Sequence, residues 1–120
     1  MMVVGFLLLL VVYWDGVPSR CLVDTGATHS VIRSSVAAQV GTKSGPYATL
    51  LLKGFGGDIQ GEVYRIPNVG TQALGWSYAR PVVVPDSVMV NGYDCIIGVD
   101  LLGQQPVRMD FVLGTLEVAE

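Results

Sequence analysis

Leu22-Val23-Asp24-Thr25-Gly26-Ala27-Thr28-His29-Ser30 is the stretch whose reading decides the fold. An apolar run, residues 21–23, ends in a carboxylate, a hydroxyl and a glycine. Apolar sequence then resumes at Val31-Ile32. Glycine permits a tight loop and a close backbone approach, so the chain can present Asp24 at the end of a strand. An isolated Asp-x-Gly is common at turns. The apolar flanks here set the acid in a rigid frame, which gives it a purpose beyond solubility.

Upstream, residues 1–13 are apolar almost throughout. They are too few for a helical membrane span, which needs about 20. No Lys or Arg precedes them and no small-residue cleavage site follows, as a signal peptide would require. The expectation is a long buried strand, with a signal or anchor remnant as the alternative. Asp15-Gly16 is a hairpin turn signal, and residues 17–23 return as the strand that delivers Asp24.

Downstream, residues 30–33 read as a short strand. Ser34 is a candidate N-cap for a helix over 35–40, with Gly41 as its stop. Residues 42–46 are a polar connection. Two strand-like runs, 47–53 and 58–66, flank Gly54-Phe55-Gly56-Gly57, a tip that exposes backbone amides. Residues 67–75 read as irregular. Residues 76–85 read as another apolar strand, with Pro81 and Pro85 limiting its pairing. Asn91-Gly92 marks a turn. The run Tyr93-Asp94-Cys95-Ile96-Ile97-Gly98-Val99-Asp100-Leu101-Leu102-Gly103 predicts a β-branched strand, a glycine and one helical turn. Residues 106–111 and 115–118 predict a closing hairpin around Gly114. No repeat, linker or low-complexity segment is evident.

The chain has 120 residues, enough for one domain, 1–120, with one core. Hydrophobic residues make up 51% and charged residues 14%, against a usual quarter charged. That deficit suggests apolar surface buried between subunits. A net charge of −3 without a basic run disfavours nucleic acid. One His and two Cys leave zinc little to bind to. Cys21 and Cys95 each lie in an apolar strand, and buried free thiols are expected, with a disulfide as the alternative.

The Asp24-Thr25-Gly26 loop resembles the active-site loop of aspartic proteases, and its Ala-Thr-His-Ser continuation resembles the single-domain retropepsins of retroviruses and gypsy-type retrotransposons. The Gly hairpin and Ile96-Ile97-Gly98-Val99-Asp100-Leu101-Leu102 follow in the family's order, so the resemblance spans residues 11–118. It implies an all-β fold, a closed retropepsin-like barrel with one or two short helices and a flap. It also implies an obligate homodimer, because two-lobed pepsin-like enzymes carry two such loops and this chain carries one.

The implied activity is endopeptidase cleavage of extended polypeptides, with polyprotein processing as the setting and no cofactor or metal. Asp24 of each subunit would form the dyad. Thr25 would hydrogen-bond across the dimer, and Gly26 would offer backbone near the carboxylates. Ala27, Thr28 and Gly54, Phe55, Gly56 and Gly57 of the flap would contact substrate, while Ile97, Gly98 and Asp100 would support the loop. His29 is read as a structural or cleft-rim residue. Asp100 is read as a partner for nearby backbone or for Arg33, Arg80 or Arg108. Trp14 and Trp76 are read as packing or interface residues.

Three departures from the family pattern stand out. Ala27 lacks the hydroxyl that many pepsin-like enzymes place there, so a mildly acidic to neutral optimum is expected. Thr28-His29 replaces an acidic residue that contacts substrate backbone in retroviral members. Val99 stands where an Arg is common, which removes an intersubunit ion pair and shifts dimerisation to the terminal strands, 2–12 and 115–118. An intracellular or particle-borne setting is expected, without membrane contact unless residues 1–13 are an anchor remnant. The alternative function is a retropepsin-fold dimerisation or peptide-binding module without catalysis.

Overall fold

The computed structural model describes residues 8–40, 48–53, 57–89 and 92–119. β1 (Leu8–Trp14) and β2 (Val17–Val23) form a hairpin in register from Trp14↔Val17 to Leu8↔Val23. Asp15 and Gly16 both have positive φ, 49° and 90°. This is the two-residue turn whose twist suits paired strands. Along β1, Leu8, Val12 and Trp14 point into the core while Leu9, Val11 and Tyr13 point out. Residues 8–13 are therefore a strand. The signal or anchor reading of residues 1–7 lies outside the described residues. No described helix is long and apolar enough to cross a membrane.

β3 (Val31–Arg33) runs directly into α1 (Ser34–Val40). Ser34 is the first helical residue rather than the cap. The cap comes from far along the chain. Asp86 Oδ1 accepts from Ser35 N–H at 2.9 Å and from the Ser34 hydroxyl at 3.1 Å, satisfying an orphan donor of the first turn. The Ser35 amide bond, ahead of the other contacts, holds the Asp86 carboxyl below its ordinary value. The expected stop, Gly41, lies outside the described residues.

β4 (Ala48–Lys53) and β5 (Asp58–Val63) form the next hairpin, in register to Lys53↔Asp58. The run predicted over 58–66 breaks after Val63. Tyr64 N–H bonds Pro81 O at 3.1 Å, and the chain turns a corner into β6 (Ile66–Gly70). Residues 67–75 are thus not irregular throughout. β6 pairs with β7 (Gly75–Ala79) in one unbroken register from Ile66↔Ala79 to Gly70↔Gly75, with Asn68 at φ 53°. Residues 76–85 are not one strand either: Arg80-Pro81 divides β7 from β8 (Val82–Val84), and the two sit far apart in the sheet order. β9 (Cys95–Ile97), α2 (Val99–Leu102), β10 (Val107–Asp110) and β11 (Thr115–Val118) complete the chain.

Nine strands make one sheet in the order β4-β5-β8-β3-β9-β2-β1-β6-β7, and β10-β11 stand apart as a pair. β4 and β7 end that order and do not pair with each other among the described residues. The mostly-β expectation with few helices therefore holds, and the described residues show a nine-stranded sheet without showing its closure into a barrel. The main core gathers Leu8, Val12, Trp14, Ile32, Ile66, Ile97 and Leu101, and a smaller cluster of Val31, Leu52, Val63, Val82 and Val84 lies under the β4–β5 hairpin. Both tryptophans are packing residues. Trp14 Nε1 donates to Ser19 Oγ at 2.7 Å, and Trp76 Nε1 donates to Leu101 O at 3.1 Å, tying β7 to α2.

Cys21 and Cys95 are joined as a disulfide, contrary to the expected free thiols. β2 and β9 run parallel and place the two residues directly opposite, 4.6 Å apart at Cα, within the range a disulfide spans. Only this pairing, between residues 74 positions apart, brings the sulfurs together.

Candidate active site

β9 lies between β2 and β3, pairing parallel to the first and antiparallel to the second. The chain leaving β2 must therefore pass over the end of β9 before returning as β3. Residues 24–30 make that crossing, and β9 holds them from below. Asp24 N–H donates to Ile97 O at 2.9 Å, Val99 N–H to Ala27 O at 2.9 Å, and Gly98 N–H to Ser30 Oγ at 3.0 Å. A Cβ at position 98 would come within 2.6 Å of Ala27 O and 3.0 Å of His29 O. The glycine is required because the two backbones touch there.

Ser30 is fully buried, and its hydroxyl is used twice. Besides accepting from Gly98, it donates to Asp100 Oδ1 at 2.7 Å, while Ser30 N–H donates to Asp100 Oδ2 at 3.0 Å. Asp100 thus grips the end of the loop from α2. Its partner is backbone and hydroxyl, not an arginine. Among the arginines considered, Arg33 pairs with Asp94 at 2.6 Å and Arg108 with Glu117 at 2.8 Å. Arg80 lies over the Tyr78 ring, 5.2 Å from its centroid.

On this frame Asp24 is half-buried, at the point where β2 ends. Its Oδ1 accepts from Gly26 N–H at 2.9 Å, and a Cβ on residue 26 would start 3.3 Å from that oxygen. Ala27 N–H closes the turn onto Asp24 O at 3.1 Å. Thr25, Gly26 and Thr28 are exposed, and Ala27 and His29 are half-buried. The Thr28 hydroxyl lies 3.0 Å from His29 Nδ1. The structure therefore gathers Asp24, Thr25, Gly26, Ala27, Thr28, Ile97, Gly98 and Asp100 into one unit. Gly57 is described in the turn of the β4–β5 hairpin, just before Asp58, and Gly54, Phe55 and Gly56 lie outside the described residues. Among the described residues no group of His, Cys, Asp and Glu could hold a metal ion.

Sequence reasoning did not single out the central role of Ser30. The available signal was a hydroxyl at the head of an apolar strand, matched by one acid within Val99-Asp100-Leu101-Leu102. Asp94 was also missed: it takes Arg20 N–H at 2.8 Å as well as Arg33, bracing β2 against β3.

A mostly-β sheet in which β9 threads beneath an Asp-Thr-Gly loop, together with the family match, defines a retropepsin-like aspartic protease. The chain belongs to the gag-polyprotein putative aspartyl protease family, whose model matches residues 11–104. It is similar in fold to the retropepsin-like aspartic protease of Rickettsia conorii, at 16% identity and TM-score 0.63, over 85% of this chain and 75% of that one. It is similar also to the retroviral protease-like domain of Ddi1 from Leishmania major, at 20% identity and TM-score 0.68, over 98% and 91%. A third likeness is to the EIAV protease complexed with the inhibitor HBY-793, at 22% identity and TM-score 0.58, over 79% and 84%. A search of curated proteins finds no match.

Proposed function

We propose that the chain is an aspartic endopeptidase, active as a homodimer in which Asp24 of each copy forms one catalytic dyad. The observation that carries the reading is Asp24 itself: a carboxylate at the end of β2, on a loop stitched at three points to β9 and α2. Peptide hydrolysis needs a base for water and an acid for the carbonyl, and one carboxyl cannot be both at once. Aspartic-protease dyads are a standard example of two carboxyls sharing one proton because both cannot easily ionise side by side. The ionised Asp24 takes a proton from water as its oxygen attacks the scissile carbonyl carbon. The neutral Asp24 gives its proton to the carbonyl oxygen. Collapse of the tetrahedral intermediate breaks the C–N bond, and the amine leaves with a proton from the dyad. The two titrations belong to the pair rather than to either residue.

In this proposal the β4–β5 hairpin is the flap, covering an extended substrate and excluding water. Thr25 links the two loops across the dimer, and Gly26, Ala27 and Thr28 meet the substrate backbone. Apolar side chains fill the subsites. The family description supports a polyprotein as the setting.

The test is a mixed peptide library incubated at several pH values with wild-type protein and with Asp24→Asn. Cleavage by the wild type that is lost in the variant and blocked by a statine-type inhibitor supports the proposal. Peptide binding without cleavage would replace it with the binding-module reading, and a strictly monomeric active species would overturn the shared dyad.

A further inference from the structure

We infer that the Cys21–Cys95 pair is a redox gate on the candidate site: as a disulfide it holds the Asp24 loop in working geometry, and as two thiols it lets that loop drift and slows cleavage. This gate rests on the protease reading above and adds the condition under which the site works.

The pair sits at the root of the loop. Cys21 is three positions before Asp24, and Cys95 three before Gly98. β2 and β9 are the parallel strands that lead to those two residues, and the sulfurs join them. Beyond the bond lies the seat of the loop, where Asp24 N–H donates to Ile97 O and Val99 N–H to Ala27 O. Gly98 leaves no slack in that seat, since even a methyl there would collide with Ala27 O. A change of spacing between β2 and β9 therefore reaches the loop directly.

Opening the bond changes that spacing, because non-bonded sulfurs cannot stand at bonding distance. Cys21 and Cys95 face each other in the ladder, both fully buried, and a close-packed interior transmits strain rather than absorbing it. The dithiol state is nevertheless provided for. Ser19 Oγ lies 3.2 Å from Cys21 Sγ and 3.3 Å from Cys95 Sγ. It donates to Val12 O at 2.9 Å and accepts from Trp14 Nε1 at 2.7 Å. A hydroxyl has a second acceptor position, which can take the Cys21 thiol proton. Arg20 O lies 3.9 Å from Cys95 Sγ and can take the other. Reduction thus strands no buried donor, and the chain can hold either state while folded.

The states interconvert by thiol exchange. A small thiolate attacks one sulfur and forms a mixed disulfide, and the other sulfur leaves as a thiolate and takes a proton. A second small thiolate then attacks the mixed disulfide and releases the remaining cysteine, with the two small thiols oxidised to one disulfide. Oxidation is the reverse, with the small disulfide as oxidant. Both sulfurs are closed to solvent, so exchange waits for β2 and β9 to open locally. The state is therefore set by the surroundings in which the chain folds, since thiols are kept reduced in the cytosol and joined in an oxidising compartment. Cleavage is slow in the first setting and runs at full rate in the second.

The experiment compares the full chain folded with excess dithiothreitol, the full chain folded with oxidised glutathione, and Cys21→Ala/Cys95→Ala under both conditions, with thiol content checked by mass. The chain has two cysteines, so the reagents have no other target in it. Circular dichroism and sedimentation follow fold and assembly, a cysteine-free peptide gives kcat and KM, and amide hydrogen exchange reads the loop. The reduced protein is expected to stay folded and associated. Its kcat is expected to fall about ten- to a hundredfold with KM little changed, as a misplacement of about 1 Å does, and its Asp24, Gly98 and Val99 amides to exchange faster. The double variant is expected to match the reduced form in either reagent. Equal kcat in the two forms overturns the gate and leaves the protease reading standing. Loop amides that exchange alike in both forms overturn it too, whether or not either form cleaves. Reduced protein that unfolds, or that merely dissociates, makes the bond a staple and overturns the gate as well. Faster loop exchange without cleavage by either form keeps the redox-controlled loop and removes the protease reading.

Discussion

Replacing Ser30 with Ala removes one oxygen from the centre of the candidate site. That oxygen donates to Asp100 Oδ1 at 2.7 Å and accepts from Gly98 N–H at 3.0 Å, in a position closed to water. The variant leaves the Gly98 amide as an orphaned buried donor, which costs about 1–3 kcal/mol. It also removes a hydrogen bond to a charged carboxylate, worth about 1.5–3 kcal/mol. These are two views of one network and do not add fully, so the expected loss is about 2–4 kcal/mol. A domain with about 5–15 kcal/mol of stability still folds after that loss. Urea unfolding followed by fluorescence should show a lower midpoint with an unchanged slope. Cleavage should fall further than stability alone accounts for, because the loosened residues are the ones that aim Asp24. A loss below about 0.5 kcal/mol, the size of an ordinary surface change, would refute the idea that this hydroxyl holds the loop.

Three further outcomes follow from the same geometry. Gly98→Ala puts a methyl within 2.6 Å of Ala27 O, so the loop must lift off β9; a loss of about 3 kcal/mol or failure to fold is expected, read by thermal melting. The Cys21–Cys95 bond closes a loop spanning 74 positions, which by the chain-entropy account contributes about 4 kcal/mol; denatured protein should show no free thiol before reduction, and reduction should lower the urea midpoint. Asp86, bonded mainly to the Ser35 amide, has a folded-state pKa below its ordinary 3.8; its support of α1 is therefore present above that value and lost as pH falls through the folded pKa. A carboxyl NMR titration with a midpoint at or above 3.8 would remove that role.

Much of the local structure is legible in the sequence, for identifiable reasons. Asp15-Gly16 carries its own turn geometry, and the alternation from Leu8 to Trp14 marks one face as buried. Ile96-Ile97-Gly98 followed by one helical turn is written in β-branching and a single glycine. The misreadings cluster where neighbours distant in sequence decide. The break after Val63 depends on Tyr64 finding Pro81 O, and the strand at 66–70 depends on β7 lying alongside. The cap of α1 comes from Asp86, roughly fifty residues away, and displaces the local candidate Ser34.

What the sequence determined by itself was chemistry and its immediate setting: an acid, a hydroxyl and a glycine at the end of an apolar strand, and a glycine-centred segment shaped to support them. Periodicity and turn residues act over a few positions, and those features need nothing more. Only the tertiary structure decided that β9 threads between β2 and β3, that Cys21 meets Cys95, and that Asp100 reaches Ser30. These pairings join residues about seventy positions apart. They depend on which strands become neighbours when the whole apolar surface is buried at once, and no local pattern records that outcome.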